Sequence, residues 1–558
     1  MQNPAILAPV AWLRERMAEP VAALRGVFAN PNLRRVELAF AGQIVGQYAY
    51  SIALSVYAFQ QGGAAAVGIV SFVRLMLAAV VAPFAAAWAD RYRREHVMVA
   101  SNLIRAALAA TAAACVFAGT PALIVYALSA LTTIGGSVFR PAEAALLPAL
   151  AREPEELSAA NVASSTFDSV GSFAGPALGG LLLAATGPGT VIAVMAGCFL
   201  WSALLVSRVR PDRQPEVTRE EGGGLRELTG GFRAVAAEPR LRLLIGLTGA
   251  QCVVAGAMSV LVVVVAIDLL SMGPGGVGYL ESASGIGSLL GAAVALALVA
   301  RRKLAGDFGL GIVLWGAPLV LLGFVPSTPV ALAAMAVSGV GNTLVDIAGI
   351  TLLQRTAPEA VAARVFGVLQ STIVASLAIG TLAAPALDAV LGTQGALIVV
   401  GAILPALALL TWRKLAAIDV GATVPAERVD ALRPIPFLSP LPLAAVELLA
   451  SRLEPVTLPA GAELFRRGDE GDRFYVIAEG ELEVLLDAET KVEPAGSWVG
   501  EIALLRDVPR TATVRARTDA RLWAMEREQF LGAVTGHARS RDAANEVIGA
   551  RLGYAPTA

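Results

Sequence analysis

Apolar runs near the ~20 residues needed to cross a bilayer recur along the first 415 residues, divided by short polar stretches. They predict spans near 36–59, 67–88, 97–118, 122–147, 158–185, 190–208, 242–270, 277–299, 306–325, 329–353, 362–388 and 396–413. Backbone polar groups have no water partners in lipid, so these runs are expected as helices. Beyond 416 the pattern changes. "LPLAAVELLASRL" (441–453) has helical periodicity, and from 456 short alternating segments follow: "EPVTLPAG", "ELFRRG", "RFYVIAEG", "ELEVLL". Gly and Asp turns separate them as in an all-β roll, and 530–552 returns to helix. The expected class is an all-α membrane protein of twelve transmembrane helices in two six-helix halves, plus a C-terminal β-roll with flanking helices.

Composition sharpens the division. Of 558 residues, 56% are hydrophobic and 16% charged, against roughly 25% charged in ordinary soluble proteins. Residues 431–558 hold 34 charged residues in 128, and the preceding 430 hold only 53. The expected organisation is a cytoplasmic N-terminal tail (1–35), a six-helix bundle (36–208), a cytoplasmic central loop (209–241), a second six-helix bundle (242–415), a linker (416–436) and a soluble domain (437–552). The tail either carries an interfacial helix around Trp12 or runs free. A net charge of −1 gives no global field for nucleic acid, so no nucleic-acid partner is expected. Cys115, Cys198 and Cys252 all lie in apolar runs, and the two histidines, His96 and His537, complete no metal-ligand spacing. No metal, covalent cofactor or nucleophile–base set is expected, so the chain is not read as an enzyme. Lys occurs only at 303, 414 and 491 among 43 basic residues, a bias that points to a bacterium.

Charge placement sets orientation. Loops after spans 2, 4, 6 and 8 hold Arg91, Arg93, Arg94, Arg152, Arg208, Arg210, Arg301 and Arg302, whereas those near 60–66, 119–121, 186–189, 271–276, 326–328 and 389–395 hold no Lys or Arg. The positive-inside rule then puts both termini in the cytoplasm of a bacterial inner membrane. The long loop at 209–241 splits the spans six and six, as in a two-halves transporter.

Two motifs carry chemistry in the membrane part. "AAWADRYRRE" (86–95) resembles the loop motif of the major facilitator superfamily, a glycine-x-leucine-alanine-aspartate-arginine run followed by basic residues; Asp90, Arg91 and Arg94 match, and Ala86 and Arg93 replace the glycines. The resemblance implies a latch on one access state, the acid meeting the positive end of a neighbouring helix and the arginines bracing it. The same charges also suit plain topology setting. "GSFAGPALGG" (171–180) is similar to the superfamily's span 5 antiporter motif through Gly171, Gly175, Pro176, Gly179 and Gly180, typical of exporters; a packing seam with no bearing on direction remains open. "VFRPAEAALLPAL" with "EELSAAN" (138–161) resembles the drug, macrolide and siderophore exporter branch.

Ionisable residues within spans are costly in lipid and usually face a cavity or a partner. Arg74, Arg105, Arg140, Glu143, Asp168 and Asp346 fall in this class. Spans 1, 4, 7 and 10 line the cavity in the resembled fold, so Arg140, Glu143 and Asp346 are expected to face one another. Glu143, Asp168 and Asp346 are the proton-carrier candidates, or else structural pairs. Gln43, Gln47, Tyr48, Tyr50 and Gln251 add polar lining that holds substrate or neighbouring helices.

In the soluble domain, "VGEIALLRDVPRTATVRA" (499–516) concentrates the chemistry. Gly500, Glu501, Ile502 and Ala503 can open a helical turn whose N–H groups suit an anion, Arg510 can pair with that anion, and Glu501 can accept from hydroxyls. One anion beside one hydroxyl describes a ribose phosphate. The segment closely resembles the phosphate cassette of cyclic-nucleotide-binding domains, and with "RRGDEGDRFYVIAEGELEV" the resemblance covers about 437–551. It implies that Glu501 binds the ribose 2′-hydroxyl, that Arg510 binds the cyclic phosphate, and that the backbone at 502–503 and Thr511 assist. It leaves cAMP and cGMP both open, and it makes Tyr554 or the final helix a cover for the base.

The expected function is a secondary active transporter in the lipid bilayer, a proton-coupled exporter of small amphipathic substrates, regulated by cAMP or cGMP. The alternatives are a membrane-anchored nucleotide sensor without transport, and a transporter whose nucleotide domain is only structural.

Overall fold

The computed structural model describes residues 27–89, 92–152, 154–210, 225–299, 304–357, 361–422, 426–441, 443–486, 490–535 and 538–552. They form two compact units, Met1–Val420 and Gly421–Ala558.

The first unit is helical: α1 (Pro31–Ala89), α2 (Arg94–Phe117), α3 (Ala122–Leu150), α4 (Pro154–Thr186), α5 (Pro188–Val206), α6 (Leu225–Ala237), α7 (Pro239–Val264), α8 (Gly276–Val299), α9 (Leu304–Phe324), α10 (Thr328–Thr356) and α11 (Ala362–Ala422). A π-turn, Val265–Leu269, extends α7. Nine helices among the described residues are long and apolar enough to cross a membrane. Two of them are broken. Gly62 and Gly63 leave helical geometry inside α1, with Gly63 at φ 60° and ψ −158°, a conformation only glycine adopts without strain. Gly392 (φ 69°) breaks α11 in the same way. Each long helix therefore has two arms, which match the paired apolar runs of the sequence. The region expected as a central loop holds α6 and the first turn of α7 beside its undescribed residues.

Glycines let these helices meet closely. Gly171, Gly175 and Gly179 recur every fourth residue along one face of α4 and lie against Ile44, Tyr48 and Ala49 of α1; a Cβ at any of them would come within 2.6–2.8 Å of those side chains. Gly180 faces away from this seam, toward Gly278 of α8. Gly68 of α1 meets the Thr381 carbonyl and Pro385 of α11. The last two contacts join the two helical halves beside the loops that carry no Lys or Arg.

The second unit begins earlier than the sequence suggested. The segment expected as a linker (416–436) contains the end of α11 and a further helix, α12 (Ala426–Leu432). Val429, Leu432, Ile435 and Phe437 are fully buried in the same core as Phe474, Trp523 and Phe530. After α13 (Leu443–Ser451) come β1 (Glu454–Leu458), β2 (Glu463–Phe465), β3 (Arg473–Glu479), β4 (Glu481–Leu485), β5 (Thr490–Pro494), β6 (Trp498–Val499), α14 (Glu501–Arg506), β7 (Thr513–Ala516), β8 (Ala520–Glu526), α15 (Arg527–Thr535) and α16 (Ala538–Leu552). The strands form two antiparallel four-stranded sheets, ordered β1-β8-β3-β6 and β2-β7-β4-β5. Alternation places Tyr475 and Ile477 of β3 inside the roll with Leu482 and Leu522, while Phe474 and Val476 face the helices. Phe474 stacks on Phe530 at 4.6 Å, and Phe437 meets both rings edge-on.

Candidate functional site

The nucleotide candidates converge at the end of β6. Gly500 holds φ 97°, which swings the chain out of the strand and starts α14 at Glu501. A helix leaves its first N–H groups without intrahelical partners, and here those include the amides of 502 and 503. Asp507, also left-handed, ends the helix, and the chain returns through Arg510 into β7. The Arg510 backbone pairs with the 468–469 turn on both sides: its N–H donates to the Asp469 carbonyl (2.8 Å), and its carbonyl accepts from Gly468 (2.9 Å).

The Arg510 side chain lies beneath this loop, 2% exposed. Its Nη1 donates to the Gly500 carbonyl (3.2 Å), and its Nη2 donates to the Arg473 carbonyl (2.8 Å) and to Asp472 Oδ1 (3.2 Å). The guanidinium also sits 4.2 Å over the Phe465 ring, and its Nε has no hydrogen-bond partner among the described residues. Burial pulls the guanidinium below its usual range, with Tyr475 and Asp472 opposing, while burial pushes the Tyr475 phenol up. Glu501 and Ala503 are buried, Ile502 is half-buried, and Thr511 is exposed. The structure thus assembles a fixed cation, a helical first turn and a buried carboxylate within one loop, which is the chemistry for an anion flanked by a hydroxyl. Asp472, 38 residues before Arg510, is a participant that sequence reasoning missed; it lies in the quoted "GDEGDRF" run. Tyr554 lies outside the described residues.

In the membrane unit, Arg140 of α3 bridges Asp168 of α4 (3.5 Å) and Glu143 (3.8 Å), and its guanidinium lies 4.5 Å over Phe40 of α1. Glu143 is 2% exposed, and neither of its oxygens has a hydrogen-bond partner among the described residues. Glu37 of α1, not singled out from the sequence, is fully buried in the same group, where it accepts from Ser164 Oγ (2.9 Å) while its other oxygen lacks a partner among the described residues.

Asp346 makes its hydrogen bond within α10. It accepts from Asn342, whose Oδ1 receives Gln251 Nε2 (2.8 Å) and Trp315 Nε1 (2.9 Å), so α7, α9 and α10 share one polar chain. Gln47 accepts from Arg105, Tyr50 donates to Ser129, and Gln43 is buried. Of the latch residues, Asp90 and Arg91 lie outside the described residues, and Arg94 opens α2.

Two family models match the chain. Residues 37–309 match the Major Facilitator Superfamily, and residues 455–537 match the cyclic nucleotide-binding domain. Similar solved structures include the regulatory domain of Toxoplasma gondii PKA with cAMP, at 22% identity over 23% of this chain and 49% of that one (TM-score 0.20). The regulatory subunit of a cAMP-independent protein kinase A from Trypanosoma brucei is 25% identical over 24% and 50% (TM-score 0.21). The sensor domain of the transcriptional regulator DNR from Pseudomonas aeruginosa is 20% identical over 22% and 92% (TM-score 0.21). The chain spans about half the length of the first two.

Proposed function

We propose that this chain, which carries a Major Facilitator Superfamily domain and a C-terminal cyclic nucleotide-binding domain, is a secondary active transporter governed by cAMP or cGMP. The observation that carries the regulatory half is the Arg510–Gly500–Glu501 loop, where a buried cation underlies a helical first turn. Twelve spans are supported by the glycine breaks that give α1 and α11 two arms each, with α8 completing the count. The basic loops support cytoplasmic termini, and the bias toward Arg supports a bacterial inner membrane. In that orientation the Gly180–Gly278 and Gly68–Pro385 contacts close the outer end, as in an inward-facing or occluded state.

Proton coupling runs through the acids beside Arg140: buried Glu143 and partly exposed Asp168, now joined by buried Glu37. Asp346 serves the second half through Asn342. The span 5 glycines and the resemblance of residues 138–161 support export. To govern transport, the nucleotide must favour one access state, and typical coupling is about 1–3 kcal/mol. Flux of a fluorescent amphipathic dye in proteoliposomes, with and without saturating cAMP or cGMP, tests this. Equal flux in all three conditions rejects regulation, and no flux in any of them rejects transport.

A further inference from the structure

The charges of the first helical half are segregated along its length. The acids Glu37, Glu143 and Asp168 gather around Arg140 near the start of α1. Thirteen residues farther along that helix, about 20 Å at 1.5 Å per residue, stands Tyr50 with two arginines beside it. Arg105 lies midway along the 24-residue α2 and is 3% exposed. Its Nη2 donates to Gln47 at 3.4 Å, while its Nε and Nη1 have no partner among the described residues. Arg74, half-buried on the second arm of α1, donates from Nε to Thr133 Oγ1 at 3.0 Å and lies 5.9 Å from the Tyr50 ring. No carboxylate pairs with either guanidinium among the described residues.

The fold makes room for these cations. Gly135 and Gly136 of α3 lie against Arg105; a Cβ at 135 would stand 2.8 Å from its Cγ, and one at 136 would stand 3.3 Å from its Nη2. The Phe199 ring supports the guanidinium at 4.0 Å. A cation–π contact offsets only part of the cost of burying an ion. Neutral oxygens and two rings leave the pair under-compensated, and a mobile anion would complete it.

We infer that Arg74 and Arg105, framed by Gln47, Tyr50, Ser129 and Thr133, form the substrate-recognition patch of the first half, and that the cargo carries an anionic carboxylate or phosphate on an apolar body. Arg74 supplies the direct contact, and Arg105 behind it supplies charge and fixes Gln47. This deepens the transport reading and rests on it.

The test uses the full chain in phosphatidylcholine nanodiscs, with equilibrium binding of 2-naphthoate, its neutral amide and naphthyltrimethylammonium. Naphthoate is expected to bind in preference to the other two. Arg74→Gln should weaken it about tenfold or more, and Arg74→Lys should recover most of that loss, with monodispersity confirming the fold of each variant. Preference for the ammonium probe, no naphthoate binding at millimolar concentration, or naphthoate binding indifferent to Arg74→Gln would overturn the proposal. Displacement of naphthoate by phosphatidylglycerol added to the disc would make lipid the occupant and overturn the cargo assignment. A chain that bound naphthoate through Arg74 yet moved no probe would sink transport and leave this patch standing.

Discussion

Arg510 and Asp472 form an ion pair at 3.2 Å whose members differ sharply in exposure, 2% against 70%. The arginine is therefore fixed by the fold, and the carboxylate is the partner that a ligand can replace. A cyclic phosphate is the natural substitute, since it offers the same charge to the same donors. Asp472→Asn is expected to lower the melting temperature of the ligand-free second unit by a few degrees, corresponding to about 1 kcal/mol. Saturating nucleotide should erase most of that difference. Calorimetry of the full chain reads both values, and an equal deficit with and without nucleotide would contradict the exchange.

Arg510→Ala and Glu501→Ala should each weaken nucleotide binding by about thirtyfold, the scale of one charge-assisted hydrogen bond near 2 kcal/mol. Titration calorimetry with cAMP and with cGMP measures the loss and shows which base the pocket prefers.

Gly500 offers a sharper probe of geometry. It sits at φ 97°, and a methyl there would come 2.5 Å from Arg510 Nη1. Gly500→Ala should displace the guanidinium and cut nucleotide affinity at least about tenfold, beyond the roughly 1–2 kcal/mol of backbone strain. Gly496, with φ 89° and nothing within 4 Å of an added Cβ, provides the control. Gly496→Ala should carry similar strain yet keep its ligand.

Glu37→Gln and Glu143→Gln should each reduce flux driven by an imposed proton gradient by about tenfold. Ser164→Ala should do less, because it removes one neutral donor. Nucleotide binding should be unaffected in all three. Flux that follows the gradient unchanged in Glu37→Gln would remove it from the coupling path.

Gly180 touches Gly278 so closely that a Cβ at 180 would stand 2.7 Å from the Gly278 Cα. Gly180→Val is expected to wedge the two halves apart at this point and to depress flux while nucleotide affinity holds. Accessibility labelling of a cysteine placed at 184 should rise in parallel.

Legibility from sequence followed the locality of each signal. Gly500, Glu501 and Arg510 lie within eleven residues, so their shared chemistry stood out. Asp472 reaches the same guanidinium only because β3 begins beside that loop. The apolar runs located the long helices, and the Gly62–Gly63 and Gly392 turns divide what would otherwise be two uninterrupted ones. Glu37 stayed hidden because its burial depends on Ser164, 127 residues away. Asp346 was expected near Arg140, since both fall on spans that line one cavity in the resembled fold. The hydrogen bond that engages it comes from Asn342, one turn earlier on the same helix. Gly421 and Pro425 read as breaks in a linker, and nothing local shows that the next apolar residues enter a distant core.

That core has a practical consequence for anyone dissecting the molecule. Phe437 is wholly enclosed and touches Phe474, Trp498 and Phe530, and Val429, Leu432 and Ile435 lie in the same interior. A recombinant piece trimmed to begin at 437 would lack three of these residues and bare the aromatic cluster to solvent, inviting aggregation. A cut placed before Ala426 keeps the plug in its socket.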